Sequence, residues 1–177
     1  MKILSLFLLF FLPLSLFADD SAWFAGIDGG VTGTKLSSSE IKSDYEFGPE
    51  YGFRIGLQDK NSRMYLGYTR ADDIDGNVSS TNNIYLGLDG ISDEFHVIAK
   101  STAKFFFGIR LGSSTADIDE KSKTAFLGGL QTGFIFLLPA DFEIEFAYRH
   151  YLTLRKKEIN FNAGTIYGAL NYKFYTF

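Results

Sequence analysis

Few side chains in this sequence are arranged for chemistry. It holds two histidines and no cysteine, so thiolate catalysis, disulfides and Cys-based zinc sites are excluded. His150 lies in Ala147-Tyr148-Arg149-His150-Tyr151-Leu152-Thr153. A hydroxyl nucleophile needs a base within hydrogen-bond reach and a third group to orient that base. Two residues after His150, on the same face of a strand, stands Leu152; Thr153 falls on the opposite face. His96 has no partner at metal-ligand spacing. Asp72, Asp73, Asp75, Gly76 and Asn77 are spaced a little like a calcium loop. Its first and twelfth positions would be Ala71 and Asn82, and neither is a carboxylate. Gly128-Gly129 sits inside an alternating segment and opens no helix, so no phosphate cradle is expected. The expectation is no catalytic residue, no metal site and no cofactor. Two charge sets remain. Arg155, Lys156 and Lys157 form a basic cluster able to meet phosphates. Asp28, Arg54, Arg110, Glu143, Glu145 and Arg149 gain meaning only from the elements that carry them.

Those elements are strands. Apolar and polar residues alternate in segment after segment, the period of a strand with two unlike faces. In 51–58, Tyr51, Phe53, Ile55 and Leu57 oppose Gly52, Arg54, Gly56 and Gln58. In 105–112, Phe105, Phe107, Ile109 and Leu111 oppose Phe106, Gly108, Arg110 and Gly112. In 142–149, Phe142, Ile144, Phe146 and Tyr148 oppose Glu143, Glu145, Ala147 and Arg149. Segments 22–34, 64–69, 83–89, 126–136 and 164–177 alternate in the same way. This predicts eight strands. Longer polar loops are expected over 35–46, 72–80, 113–123 and 152–160, and shorter turns at 59–62 and 139–141. Residues 90–104 are too many for a tight turn. They either extend the fourth strand past a kink at Ser92-Asp93 or make a short excursion. No linker or repeat divides the chain, so one domain is expected.

Alternation fits a soluble carrier barrel with its apolar face inward, and a membrane barrel with its apolar face outward. The polar face favours the membrane barrel. It carries glycines at 52, 56, 67, 87, 108, 129 and 133 together with the charges above. A surface facing water would hold more Lys, Glu, Ser and Thr. Trp23, Tyr51, Tyr68, Tyr148 and Tyr172 lie near the ends of the apolar faces, as in an interfacial aromatic girdle. Beyond residue 18 no segment approaches the ~20 apolar residues of a transmembrane helix. The expected fold is an all-β, eight-stranded antiparallel up-and-down transmembrane β-barrel. Eight strands enclose a space that side chains fill. Arg54, Arg110 and Arg149 are therefore expected to pair with Asp28, Glu143 and Glu145 inside it, and a general porin is not expected. A net charge of −4 gives no reason to expect nucleic-acid binding.

The two ends carry further signals. Lys2 precedes a Leu- and Phe-rich run from Ile3 to Phe17, and Ala18 precedes Asp19-Asp20. That pattern predicts a signal peptide over 1–18 and a barrel domain over 19–177. In the last segment Ile166, Gly168, Leu170, Tyr172 and Phe174 oppose Tyr167, Ala169, Asn171 and Lys173. It resembles the closing strand of bacterial outer-membrane barrels, which typically ends in an aromatic residue. Leu170, Tyr172, Phe174 and Phe177 are its signature positions. Either a bulge brings Phe177 into phase or Phe174 ends the strand. The whole chain resembles the small OmpA/OmpX-like outer-membrane β-barrel family of Gram-negative bacteria. The resemblance implies a monomer in the outer membrane with both termini periplasmic. It implies contact with outer-membrane lipids and lipopolysaccharide, the latter through Arg155, Lys156 and Lys157. It also implies recognition of the C-terminal strand by the barrel-assembly machinery, and a structural or surface-interaction role with a host or surface ligand at the loops. The segment around His150 is a little similar to the catalytic-histidine segment of outer-membrane lipid A deacylases, with Leu152 where a serine would stand. A deacylase-like enzyme using His150 and a soluble lipocalin-like periplasmic carrier are the alternatives.

Overall fold

The computed structural model describes residues 21–38, 46–75, 78–97, 101–118, 121–153 and 159–176. The strands are β1 (Ala22–Ser38), β2 (Glu46–Gln58), β3 (Ser62–Asp75) and β4 (Val78–Ile91), then the two-residue β5 (Phe95–His96). They continue with β6 (Thr102–Ile118), β7 (Lys121–Leu137), β8 (Phe142–Thr153) and β9 (Ile159–Thr176). Each long strand pairs antiparallel with its sequence neighbours, β4 pairs with β6, and β1 pairs with β9. The sheet therefore closes into an eight-stranded up-and-down barrel, and closure leaves no unpaired edge among the long strands. We call the end with Ala22 and Thr176 the base, and the end with Ser38, Asp75, Ile118 and Thr153 the crown.

The alternation predicted the strands but underestimated their length at the crown. Segments 72–80 and 113–123, expected as polar loops, are mostly strand. β3 and β4 pair as far as Asp75 and Val78, and β6 and β7 as far as Ile118 and Lys121. A lipid-spanning strand needs only ~9–11 residues. Beyond that length both faces can be polar, so the ladder continues after the apolar alternation has stopped. Segments 35–46 and 152–160 are shortened in the same way, by β1, β2, β8 and β9.

The base has tighter connections. Asp59 accepts hydrogen bonds from the backbone N–H of Asn61 and Ser62, both at 2.6 Å, and from the Ser62 hydroxyl at 2.9 Å. That is the local side-chain bonding that makes Asp a turn former. At the β7–β8 turn, Leu138 N–H donates to the Phe142 carbonyl at 2.9 Å. Between them Ala140 and Asp141 both adopt φ of 60°. Of the two readings of 90–104, the structure takes the first. Ile91 pairs with Phe106, Ser92 N–H donates to the Phe105 carbonyl, and Phe95 pairs with Ala103. So β5 continues the line of β4 along β6 after one extra residue. At the other end of the chain, β9 runs past Phe174 to Thr176. Its register against β1 slips at Trp23/Phe24, which leaves Phe174 as the inserted residue. Phe177 lies outside the described residues.

The apolar residues face outward. Ile27 is 64% exposed and Ile166 is 72% exposed, whereas Arg54, Arg63, Arg110 and Arg149 are all at or below 1%. This is the reverse of a lipocalin-like carrier, whose apolar face would point inward.

Candidate functional site

The barrel interior is built in layers, each set by strand parity. At the base, Glu143 of β8 pairs with Lys173 of β9 at 2.6 Å and accepts from the Gln58 amide at 3.0 Å. Lys104 lies 3.6 Å from Glu94 at the same end. One layer up, Glu145 receives Arg54 at 2.6 Å, Arg63, and the Asn171 amide at 2.6 Å. Arg54 also donates to Asn171 Oδ1 at 3.0 Å. Arg63 Nε reaches Asp89 at 2.6 Å, and Asp89 also accepts from Gln131. Arg63 stacks on Phe106 with its guanidinium 4.9 Å from the ring centre.

The middle layer is aromatic. Arg110 donates to the Tyr151 hydroxyl at 2.8 Å and the Tyr167 hydroxyl at 3.4 Å, and lies 4.4 Å from the centre of the Tyr85 ring. The Tyr167 hydroxyl donates to Gln131 Oε1 at 3.1 Å, which ties this layer to the one below. Above it, Arg149 holds Asp28 at 2.6 Å and Glu50 through Nε at 2.8 Å, with its guanidinium 4.2 Å from the Tyr167 ring centre. Nearer the crown the pairs are uncharged: Thr165 with Thr32 at 3.0 Å and Asn83 with Thr69 at 3.2 Å.

Four guanidiniums and four carboxylates (Asp28, Glu50, Asp89 and Glu145) thus share the middle of a closed barrel. Their balance keeps the interior near neutral, which buried ions require. The glycines of the polar face make room for the tyrosines. A Cβ on Gly67 would lie 2.4 Å from the Tyr85 ring, and one on Gly87 would lie 2.3 Å from the Tyr65 ring. Each ring lies across the glycine of the neighbouring strand.

The six predicted interior charges are all buried, but not all pair as expected. Arg54 meets Glu145, and Arg149 meets Asp28. Among the described residues Arg110 has no carboxylate partner and is held by hydroxyls and rings. Glu143 takes Lys173 and Gln58 instead of an arginine. Sequence reasoning missed Glu50, Arg63 and Asp89. Their parity was legible: Glu50 is in phase with Gly52 and Arg54, Arg63 with Tyr65, and Asp89 with Gly87. Arg63 and Glu50 stood just outside the predicted strand ends.

The outer wall carries the apolar belt. Trp23 of β1 and Tyr172 and Phe174 of β9 lie at its base. Tyr51 and Tyr68 mark its crown side, their hydroxyls reaching Asp72 at 2.8 Å and Asn82 at 2.7 Å. His150 is on this wall, with Nδ1 3.1 Å from the Tyr148 hydroxyl. Leu152 is exposed beside it and Thr153 points inward. Two residues on from His150 the face thus carries Leu152 and no hydroxyl, and the hydroxyl bonded to His150 is that of Tyr148. His96 is exposed at the base in β5. The described residues contain no group of three metal-ligating side chains. Leu170 and Tyr172 face outward on β9. Arg155, Lys156 and Lys157 lie outside the described residues.

No family model matches the chain, and no curated protein does. Solved structures do. Neisserial surface protein A (NspA) is similar with a TM-score of 0.62 and 16% identity, over 87% of this chain and 99% of that one. Outer membrane protein H (OprH) from P. aeruginosa is similar with a TM-score of 0.52 and 19% identity, over 86% of this chain and 99% of that one. At these identities the likeness is one of fold: a small eight-stranded barrel of the outer-membrane kind.

Proposed function

We propose that the chain is a small integral outer-membrane barrel with a plugged interior and a structural or surface-interaction role. One observation carries the reading: the apolar belt faces outward while a neutral network of arginines, carboxylates and tyrosines fills the inside. A closed barrel satisfies every backbone group in hydrocarbon, and eight strands leave an interior that side chains fill. The likeness to a protein named outer membrane protein H supports the compartment. In this reading the base and both termini are periplasmic, residues 1–18 are a signal peptide, and the crown hairpins face outside. The C-terminal strand, with Leu170, Tyr172, Phe174 and Phe177, is the part read by the barrel-assembly machinery, and the barrel is a monomer. Arg155, Lys156 and Lys157, in the connection between β8 and β9, meet lipopolysaccharide phosphates. A host or surface ligand would bind at the crown, because rigid barrels place their variable contacts on loops. The chain is not an enzyme in this reading, since Leu152 stands where the deacylase-like arrangement needs a serine.

The test is heat modification. The outer-membrane fraction is extracted in detergent and run on a denaturing gel with and without boiling. The expected result is an unboiled band at a different mobility that shifts on boiling. Recovery of the protein from the periplasm without detergent would overturn the reading.

A further inference from the structure

The apolar belt does not end at one depth all round the base. β3 begins at Ser62, which pairs with Gly90 of β4. The line of β4 continues past that point into β5, where Phe95 stands opposite Ala103 of β6. Val97 N–H donates to the Ser101 carbonyl at 3.1 Å and closes the hairpin. β5 and the start of β6 therefore reach beyond the β2–β3 turn as a foot. The root of the foot is fastened to that turn. Ile91 N–H donates to the Asn61 carbonyl at 2.7 Å, and the Asn61 side-chain amide donates to the Ile91 carbonyl at 3.2 Å. Lys60 lies 3.4 Å from Asp93, and Lys104 donates to the Lys60 carbonyl at 3.4 Å.

The two faces of the foot differ. Strand alternation puts Phe95 and Val97 on one face and His96 on the other. Phe95 is 39% exposed and Val97 is 47% exposed. Their face extends the belt. Ala103, opposite Phe95, pairs on its other side with Phe136 of β7. The Phe95 ring meets the Phe134 ring edge-on at 6.4 Å, and Phe134 meets Phe105 at 5.7 Å. Phe105 and Phe134 are themselves outward-facing members of the belt. The backbone of β5 limits how deep the foot sits. Away from β6 it has no strand partner among the described residues, and unpaired backbone is costly in hydrocarbon. Headgroups and their water satisfy that edge, while acyl chains cover the two side chains.

We propose that this foot is seated in the base-side leaflet, at the boundary between headgroups and acyl chains. Phe95 and Val97 meet the chains. The exposed charges at the root, Lys60, Asp93 and Glu94, lie among the headgroups. The partner is the lipid surface itself. Continuity favours it over a periplasmic protein, because the aromatic row that begins in the belt at Phe105 runs through Phe134 to Phe95. Seated in this way, the foot holds the β4–β6 side of the barrel against the leaflet and fixes the depth of the base. The inference rests on the membrane-barrel reading above, whose own failure would appear separately in heat modification.

The test is tryptophan quenching of the full chain in phosphatidylcholine nanodiscs, whose two faces are both open to solvent. Trp23→Phe clears the background, and one tryptophan is introduced by Phe95→Trp, Val97→Trp or His96→Trp. Each variant is first checked for folding by heat modification. Phe95→Trp and Val97→Trp report on the same face, so one folded variant of the two is enough. That variant is expected to emit at shorter wavelength than His96→Trp. Lipid brominated near the headgroup should quench it more than lipid brominated near the chain ends. Its quenching by aqueous iodide should be lower than that of His96→Trp by about twofold, as for an apolar face sunk into the boundary. Iodide quenching equal to that of His96→Trp, with no quenching by either brominated lipid, would overturn the proposal and leave the face to a periplasmic protein. Stronger quenching from the chain ends would overturn the placement at the boundary.

Discussion

Single residues in the interior divide into two kinds of buried arginine, and the division predicts different costs of removal. Arg63 serves two carboxylates, Asp89 and Glu145. Among the described residues, Arg63→Met would leave Asp89 with the Gln131 amide and Glu145 with Arg54 and Asn171. Stripping one partner from a buried pair costs about 3–5 kcal/mol, and the surviving partners put the expectation near the lower end. Arg110 has hydroxyl and ring partners but, among the described residues, no carboxylate. Arg110→Met conserves much of the volume and strands chiefly the Tyr151 hydroxyl, a loss of about 1–2 kcal/mol. Urea unfolding from phospholipid vesicles, followed by the lone Trp23, measures both. Equal losses would mean that ion pairing is not what holds the plug. The glycines predict a third cost. Gly87→Ala drives a methyl into the Tyr65 ring, and overpacking of this kind costs about 1–3 kcal/mol. Tyr65→Leu in the same chain should recover part of that loss, which would show that the clash and not backbone entropy is responsible.

Among the elements, the β7–β8 turn places a Cβ-bearing residue where glycine is favoured. Ala140 sits at φ of 60°, a conformation costing an L residue about 1–2 kcal/mol. Ala140→Gly is therefore expected to raise stability by about 1 kcal/mol, net of the entropy glycine adds to the unfolded chain. An unchanged or lower unfolding midpoint would show that the turn is not held in that conformation. The crown hairpins give a second element-level prediction. If β6 and β7 pair out to Ile118 and Lys121, the amides of 113–118 and 121–126 should resist hydrogen exchange; rapid exchange there would mark them as loop. These hairpins also show why the sequence was only partly legible. Phe105, Phe107, Ile109 and Leu111 announced their strand because lipid demands an apolar side chain at every second position. Past Leu111 that demand ends, and Ser113, Thr115 and Asp117 continue the same face with no apolar signal. The interior network was legible in parity but not in pairing. Which strand lies across the barrel from which is a matter of closure and shear, so nothing local to Arg110 could show that tyrosines would surround it. Glu143 likewise found Lys173 because β8 and β9 are neighbours, a fact of topology.

For the whole molecule, the filled interior sets a limit on transport. An aqueous path needs a continuous lumen, and barrels that have one are built from many more strands. Here each layer from Glu143 to Arg149 spans the inside with paired charges or stacked rings. An ion would have to break several of these contacts while shedding its own hydration, in a space where unpaired charge is costly. The wild-type protein in planar bilayers is therefore expected to give no resolved conductance steps at voltages where porins conduct. A double variant, Arg63→Ala with Tyr65→Ala, removes two large side chains that meet in one layer, Arg63 lying 5.4 Å from the Tyr65 ring centre. If it still folds by heat modification, it should either remain silent or show small, brief openings, because the Arg110 and Arg149 layers above remain closed. Steady openings in the wild type would mean that the layers separate in the bilayer. The neutral network would then act as a gate, and the surface-interaction reading would yield to a channel.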